Sequence, residues 1–216
     1  VEGKPSTAAG FVGLEMSKVL YEWNDLGAAE RHLLEGLELL SESGISESFG
    51  SGHTVLAQIR QALGDEEGAR RAAQQAVQIA QQENVPRIAG LTLAYQARLW
   101  LAQGQLALAA RWADDYRQQG ETEYLREFED LTLVRVLLAQ GNAADALARL
   151  DQYLAAPRAA GRGNAVIEIY ILRALATPDP GKAMEALGQA LHLGEPEGYV
   201  RQFLDAGEPA RRLLQQ

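Results

Sequence analysis

Along most of the chain, apolar residues recur at steps of three and four, the interval at which side chains share one face of an α-helix. Between residues 52 and 63 the run is Val55, Leu56, Ile59 and Leu63, and between 88 and 103 it is Ile88, Leu91, Ala94, Tyr95 and Leu99. Residues 123–140 continue the pattern with Phe128, Leu131, Leu133, Val134, Leu137 and Leu138. Polar residues take the remaining positions, so each stretch predicts an amphipathic helix that buries one side. Pro5, Pro86, Pro157, Pro178, Pro180, Pro196 and Pro209 all fall where a helix can begin or end, as a residue without an amide hydrogen must. Residues 166–172 are rich in β-branched side chains, which favours a strand. Their place as the first helix of the last pair predicts helix instead.

The pattern repeats. Segments 20–39, 60–79, 100–119, 137–154 and 176–193 each end one helix, turn, and open another. The turns sit at Asn24, Gly64, Gly104, Gly141 and Pro178, spaced 40, 40, 37 and 37 residues apart. Five residues after each stands an alanine: Ala29, Ala69, Ala109, Ala146 and Ala183. One helical turn later come Leu33, Ala73, Ala113, Leu150 and Leu187. A small residue there predicts close approach of the second helix to the first. Gly or Asn at the turn supplies the left-handed conformation that closes a helix, and Asp25, Asp65, Asn142 and Asp179 are placed to cap the next one. Loops are expected near 43–51, 119–122 and 156–163, the Gly/Ser-rich stretch 42–53 being the most mobile. The fold expected is all-α, a right-handed superhelical solenoid of about five antiparallel helix pairs with a period of 37–40. It spans residues 1–216 as one domain and closes on short helices at 197–216. In such stacks the first helices line a concave binding surface.

Composition supports helices and narrows the partners. Ala, Leu, Gln and Glu dominate, residues that lose little entropy in a helix, and 47% of the 216 residues are apolar, enough for a packed core. The formal net charge is −9, which argues against a phosphate-neutralising nucleic-acid surface. The arginine-rich runs at 70–71, 158–162 and 211–212 are short and read as solvated faces. Cysteine is absent, so neither a disulfide framework nor a thiolate metal site can form, and a reducing cytoplasmic location is compatible. No stretch approaches the ~18 consecutive apolar residues of a membrane helix, and no signal peptide is evident. The chain opens without Met, which suggests a piece of something larger.

Catalytic chemistry finds little to work with. His32, His53 and His192 form no H-x-x-x-H pair, so neither a metal nor a cofactor site is expected. The acidic clusters Glu66–Glu67, Asp114–Asp115 and Glu127 with Glu129–Asp130 read as solvated helix faces. Trp23, Trp100, Trp112, Tyr95, Tyr116, Tyr124, Tyr153 and Tyr170 fall on repeat helices, where packing is the ordinary role of an aromatic. One group stands apart: Tyr95, Arg98, Trp100 and Arg135 on first helices could make an aromatic and cationic patch for a sugar or a peptide. The chain is therefore expected to bind rather than to catalyse.

The helix-pair repeat resembles the tetratricopeptide type, with a period of 37–40 in place of 34. The hairpins LAQGQL (101–106) and LAQGN (138–142), together with the closing EPEGYVRQFLDAG (195–207), resemble a narrower group. That group is the large ATP-dependent bacterial transcription regulators similar to the maltose regulon activator, which carry a LuxR-type DNA-binding domain. The likeness covers roughly residues 8–214. It implies a cytoplasmic sensor region that binds a small inducer or a regulatory protein and controls self-association; apart from the resemblance, uncapped solenoid ends would allow a low-affinity dimer of a sensor or of an adaptor alike. The group's other modules are missing from this sequence: no G-x-x-x-x-G-K-[ST] loop is present, and no basic helix-turn-helix follows the repeats. The competing expectation is a plain tetratricopeptide-like adaptor with no part in transcription, and the closing motif favours the sensor.

Overall fold

Four of the five repeat turns are built alike. After helices α1 (Thr7–Glu22), α3 (Glu47–Ala62), α5 (Pro86–Ala102) and α7 (Glu127–Ala139) the backbone turns left-handed at Asn24 (φ 63°), Gly64 (84°), Gly104 (71°) and Gly141 (80°). Each such residue donates its amide to the carbonyl three back, and the next residue to the carbonyl five back. At Gly64 these bonds are Gly64 to Gln61 at 3.1 Å and Asp65 to Arg60 at 2.9 Å. This Schellman arrangement satisfies carbonyls that a helix end otherwise leaves open, and glycine takes the positive φ without a Cβ penalty. The second helices follow at once: α2 (Leu26–Glu42), α4 (Glu66–Glu83), α6 (Leu106–Gln118) and α8 (Ala143–Tyr153).

Capping follows the carboxylates. Asp25 accepts from the amide of Ala28 at 3.1 Å, Asp65 from Gly68 at 2.8 Å, and Asp179 from Lys182 at 3.0 Å. Asp179 thereby opens α11 (Pro180–Gly194), with Pro180 in the first turn where its missing amide costs nothing. Asn142 makes no side-chain cap bond, against expectation. A neutral amide gains less than a carboxylate from the positive end of the helix dipole.

The computed structural model describes residues 7–42, 47–119 and 126–215. Among these all regular structure is helical, completed by α9 (Ala155–Ala159), α10 (Gly163–Ala176), α12 (Arg201–Leu204) and α13 (Gly207–Leu214). The β-branched run 166–172 lies inside α10. Two expected loops are corrected. Helix α3 begins at Glu47, within the stretch read as the most mobile loop, whose residues 43–46 lie outside the described set. Residues 156–163 hold α9 and a further Schellman turn at Gly161 (φ 67°). Most of the loop expected at 119–122, and residues 123–125 of the helix expected from 123, are likewise outside the described residues.

The chain forms two compact units, Val1–Leu99 and Trp100–Gln216. In the first, α1 pairs with α2, α3 with α4, and α2 lies against α3. The α1–α2 crossing is made by glycine: a Cβ on Gly36 would stand 2.8 Å from the Gly10 carbonyl oxygen, and one on Gly13 would stand 2.8 Å from that of His32. Leu14, Leu33, Leu37, Leu56, Ile59, Ala69 and Ala73 form a continuous apolar core. In the second unit α6 packs on α7, α7 pairs with α8, and α10 touches α7, α8 and α11. Short α12 and α13 rest on α10, and α13 also on α11, with Phe203 entering a cluster that includes Ile167, Ile171, Leu187 and Ala190. The five register alanines are 0–3% exposed, as close approach requires.

Candidate functional site

Among the described residues, a set of interacting polar and aromatic side chains lies in the second unit, where α6, α7 and α8 present Tyr116, Asp130 and Tyr153. The Tyr116 hydroxyl donates to Asp130 Oδ1 at 2.8 Å, and the Tyr153 hydroxyl donates to the same oxygen at 3.2 Å. Arg149 donates to the Tyr153 oxygen at 3.3 Å. Trp112, one turn before Tyr116, stacks on it with ring centroids 5.2 Å apart and planes 16° from parallel. The Arg126 guanidinium lies 4.0 Å from the Tyr116 ring centre, a cation–π distance, and its edge donates to Gln119 Oε1 at 2.9 Å.

Burial pushes the phenols of Tyr116 and Tyr153 up from their ordinary range. The Asp130 charge pushes the same way, and Arg126 and Arg149 partly oppose it. A phenol held protonated in this way is a hydrogen-bond donor. The cluster therefore fixes three helices in register and holds the Arg126 plane against an aromatic face.

A second row of charges runs along the first helices of this unit. Glu127 on α7 takes Arg162, which precedes α10, at 2.9 Å. Arg135 on α7 meets Glu168 on α10 at 2.7 Å, their side chains only 14% and 10% exposed, and Arg135 also reaches the Asp205 carbonyl at 3.4 Å. Asp205 in turn pairs with Arg201 on α12.

The residues expected to form a patch are placed as follows. Tyr95 and Arg98 are half-buried i, i+3 neighbours on α5 in the first unit. Trp100 is on the same helix, but at ~100° per residue it turns ~160° away from Arg98. Its repeat position is held in the second unit by Leu137 and Ala174, both buried in packing. Arg135 belongs to the second unit, where it is ion-paired with Glu168. Helix geometry brings Tyr95 and Arg98 together on one side of α5.

Other readings are corrected. Glu129 is 3% exposed, and Glu127 and Asp130 are engaged across helices, so this acidic cluster is not a solvated face. Helix α7 is enclosed on nearly all sides, with Glu129, Leu131–Val134, Val136 and Leu137 buried, and its acids are drawn into the packing. Glu66–Glu67 do open α4 as read. Arg162 is likewise not solvated but paired, whereas Arg70, Arg71, Arg211 and Arg212 pair at exposed positions on their own helices. Trp23, read as core, is 54% exposed. The tyrosine–aspartate cluster had a signal in the sequence: Tyr116 and Tyr153 lie 37 residues apart, one repeat period, seven residues after Ala109 and Ala146.

Comparison with known proteins agrees with this architecture. The family described as "MalT-like TPR region" matches residues 2–216. Curated relatives are the serine/threonine-protein kinase PknK of two Mycobacterium tuberculosis strains and of Mycobacterium bovis. Each is 28% identical over 213 residues, which is 95% of this chain and 19% of the relative. The chain thus spans about a fifth of the length of the curated relatives it matches. None of its described helices is long and apolar enough to cross a membrane.

Proposed function

The chain belongs to the MalT-like tetratricopeptide region family, and from that premise we propose that it is the sensing and interaction segment of a longer bacterial transcription regulator. It receives a small inducer or a regulatory protein on the faces of its first helices, and occupancy biases the rest of the polypeptide. One observation carries this reading. At a single repeat position the first helices α1, α3, α5 and α7 bear Lys18, Gln58, Arg98 and Arg135, spaced like the turns and each half-buried. Packing alone selects an apolar residue at such a place, as the buried Leu172 does in α10. A long polar side chain kept through four repeats fits recognition within each unit better than it fits core. The closing segment, whose Phe203 seals α10 and α11, supports a sensor over a plain adaptor. The kinase name of the curated relatives supports a segment that serves more than one kind of output.

The test is thermal stabilisation of the chain by sugars, nucleotides, amino acids and metabolites in turn. A ligand at ~100-fold excess over its Kd adds about 2.7 kcal/mol, or roughly 5–10 °C in Tm for a chain of this size. One chemical class is expected to give that shift, and Arg98→Ala to abolish or weaken it. A shift untouched by Arg98→Ala and by Gln58→Ala removes the first-helix face from the reading. Silence from every class leaves the regulatory protein as the input.

A further inference from the structure

The residues between Gly198 and Gly207 form a segment that cannot hold its own shape. Both glycines take left-handed backbone, φ 73° and 76°, and between them α12 is four residues long. A helix so short is unstable unless something outside it holds it. On the apolar side the anchor is Phe203, buried in the cluster with Ile167, Ile171 and Leu187. Gly194 leaves room for its ring, since a Cβ there would stand 3.1 Å from it. Val200 and Leu204, beside Phe203 in the same segment, stay exposed, so the apolar hold is narrow.

The polar anchor comes from α7. Arg135 reaches past its pair with Glu168 and donates to the Asp205 carbonyl at 3.4 Å. Asp205 closes α12, at the end where a helix leaves its last carbonyls open and an arginine can bond them. The Asp205 carboxylate is meanwhile taken by Arg201 of α12 itself. The closed position also carries a cost. Gln202 Oε1 is shut off from solvent with no donor among the described residues, and opening would wet it. A narrow apolar hold, a cationic holdfast and a buried unpaired oxygen describe a segment poised between two positions.

We propose that α12 is a clip that opens apart from the helix pairs beneath it, and that Arg135 on α7 holds it shut. Arg135 stands in the first-helix row taken above as the receiving face. A ligand that claims its guanidinium would free the clip, a step that rests on that reading; the holdfast itself does not.

The experiment is native-state amide exchange followed by NMR. The Phe203, Leu204 and Asp205 amides, bonded to the Val200 and Arg201 carbonyls, report the clip. Arg135→Met with Glu168→Leu replaces the pair by apolar side chains of similar volume, which keeps α7 and α10 packed but removes the bond to Asp205. Exchange at 203–205 is expected to quicken roughly tenfold, with the α7 and α10 amides unchanged. Arg135→Lys keeps a charge beside Glu168 but cannot fork to Asp205 as well, so this milder variant should act in the same direction. Glu127→Leu with Arg162→Met removes the neighbouring pair between α7 and the start of α10 and should leave 203–205 as they were. Unchanged exchange at 203–205 in both Arg135 variants overturns the proposal. Quickening shared equally by α7 and α10 overturns it too, because α12 then opens only with the whole unit. So does quickening that the Glu127 variant reproduces, because any loosening of α7 then suffices. No ligand is added, so failure here strikes the clip and leaves the first-helix reading to its own screen.

Discussion

Gly36→Ala is the substitution in which local and tertiary physics disagree most sharply. Inside a helix alanine is favoured over glycine by about 1 kcal/mol, because glycine loses more backbone entropy on folding. At Gly188 on α11 no atom lies within 4 Å of an added Cβ, so Gly188→Ala should keep that gain. At Gly36 the same methyl would meet the Gly10 carbonyl oxygen at 2.8 Å, the Leu14 amide nitrogen at 3.0 Å and the Gly13 carbonyl carbon at 3.3 Å. All three are main-chain atoms, and no rotamer change relieves them. Helix α1 must move off α2, loosening the Gly13–His32 and Gly10–Leu40 contacts along the crossing. Overpacking of this kind costs about 1–3 kcal/mol. After the propensity gain, a net loss of up to about 2 kcal/mol remains for Gly36→Ala, against a gain of up to about 1 kcal/mol for Gly188→Ala. The two should differ by roughly 1–3 kcal/mol. Urea unfolding followed by far-UV circular dichroism, with amide exchange in α1 and α2 as a local readout, measures both. If Gly36→Ala stabilises as much as Gly188→Ala, the close crossing is not what holds α1.

Three further outcomes follow from the geometry. Asp65→Ala removes an acceptor for the Gly68 amide and should cost about 1 kcal/mol, whereas Asn142→Ala, which loses no cap bond, should change urea stability far less; equal losses would refute the capping assignment. Arg135→Met removes the cationic partner of the Glu168 carboxylate, whose side chain is 10% exposed, and should cost roughly 3 kcal/mol, while Arg135→Met combined with Glu168→Leu should recover most of it in a double-mutant cycle. The phenols of Tyr116 and Tyr153 are raised above their ordinary value near 10. A pKa raised on folding means the folded state disfavours the phenolate, so this contribution is whole below pH 10 and is lost as pH climbs through the folded values. Absorbance at 295 nm should therefore show fewer than the seven tyrosines ionising near pH 10, the rest appearing only as the chain unfolds. Ionisation of all seven in the folded protein would remove Asp130 and burial as the cause.

Much of the fold was legible because the repeat writes one structural rule several times. Asn24, Gly64, Gly104 and Gly141 declare turns through backbone chemistry alone, and the alanines five residues later declare close contact through size alone. Both are local properties, and each recurrence tests the last. The surroundings of the expected patch residues were not legible: the 100° step of the helix sets Trp100 on another side of α5 from Arg98, and the ion pair of Arg135 with Glu168 joins positions 33 residues apart.

What the sequence by itself determined, then, is the helical class, the pairing of helices across short turns, and the family. What only tertiary structure decided is which neighbours each face meets. The glycines at 50 and 52 read as loop formers, yet they lie within α3, and Gly52 is small because Leu37 of α2 occupies the space a side chain would need. Glu129 and Asp130 read as solvated charge, yet α7 is surrounded and draws them in. Period and composition are properties of a short stretch of chain, whereas a clash or a buried hydrogen bond belongs to two stretches that meet only when the chain has folded.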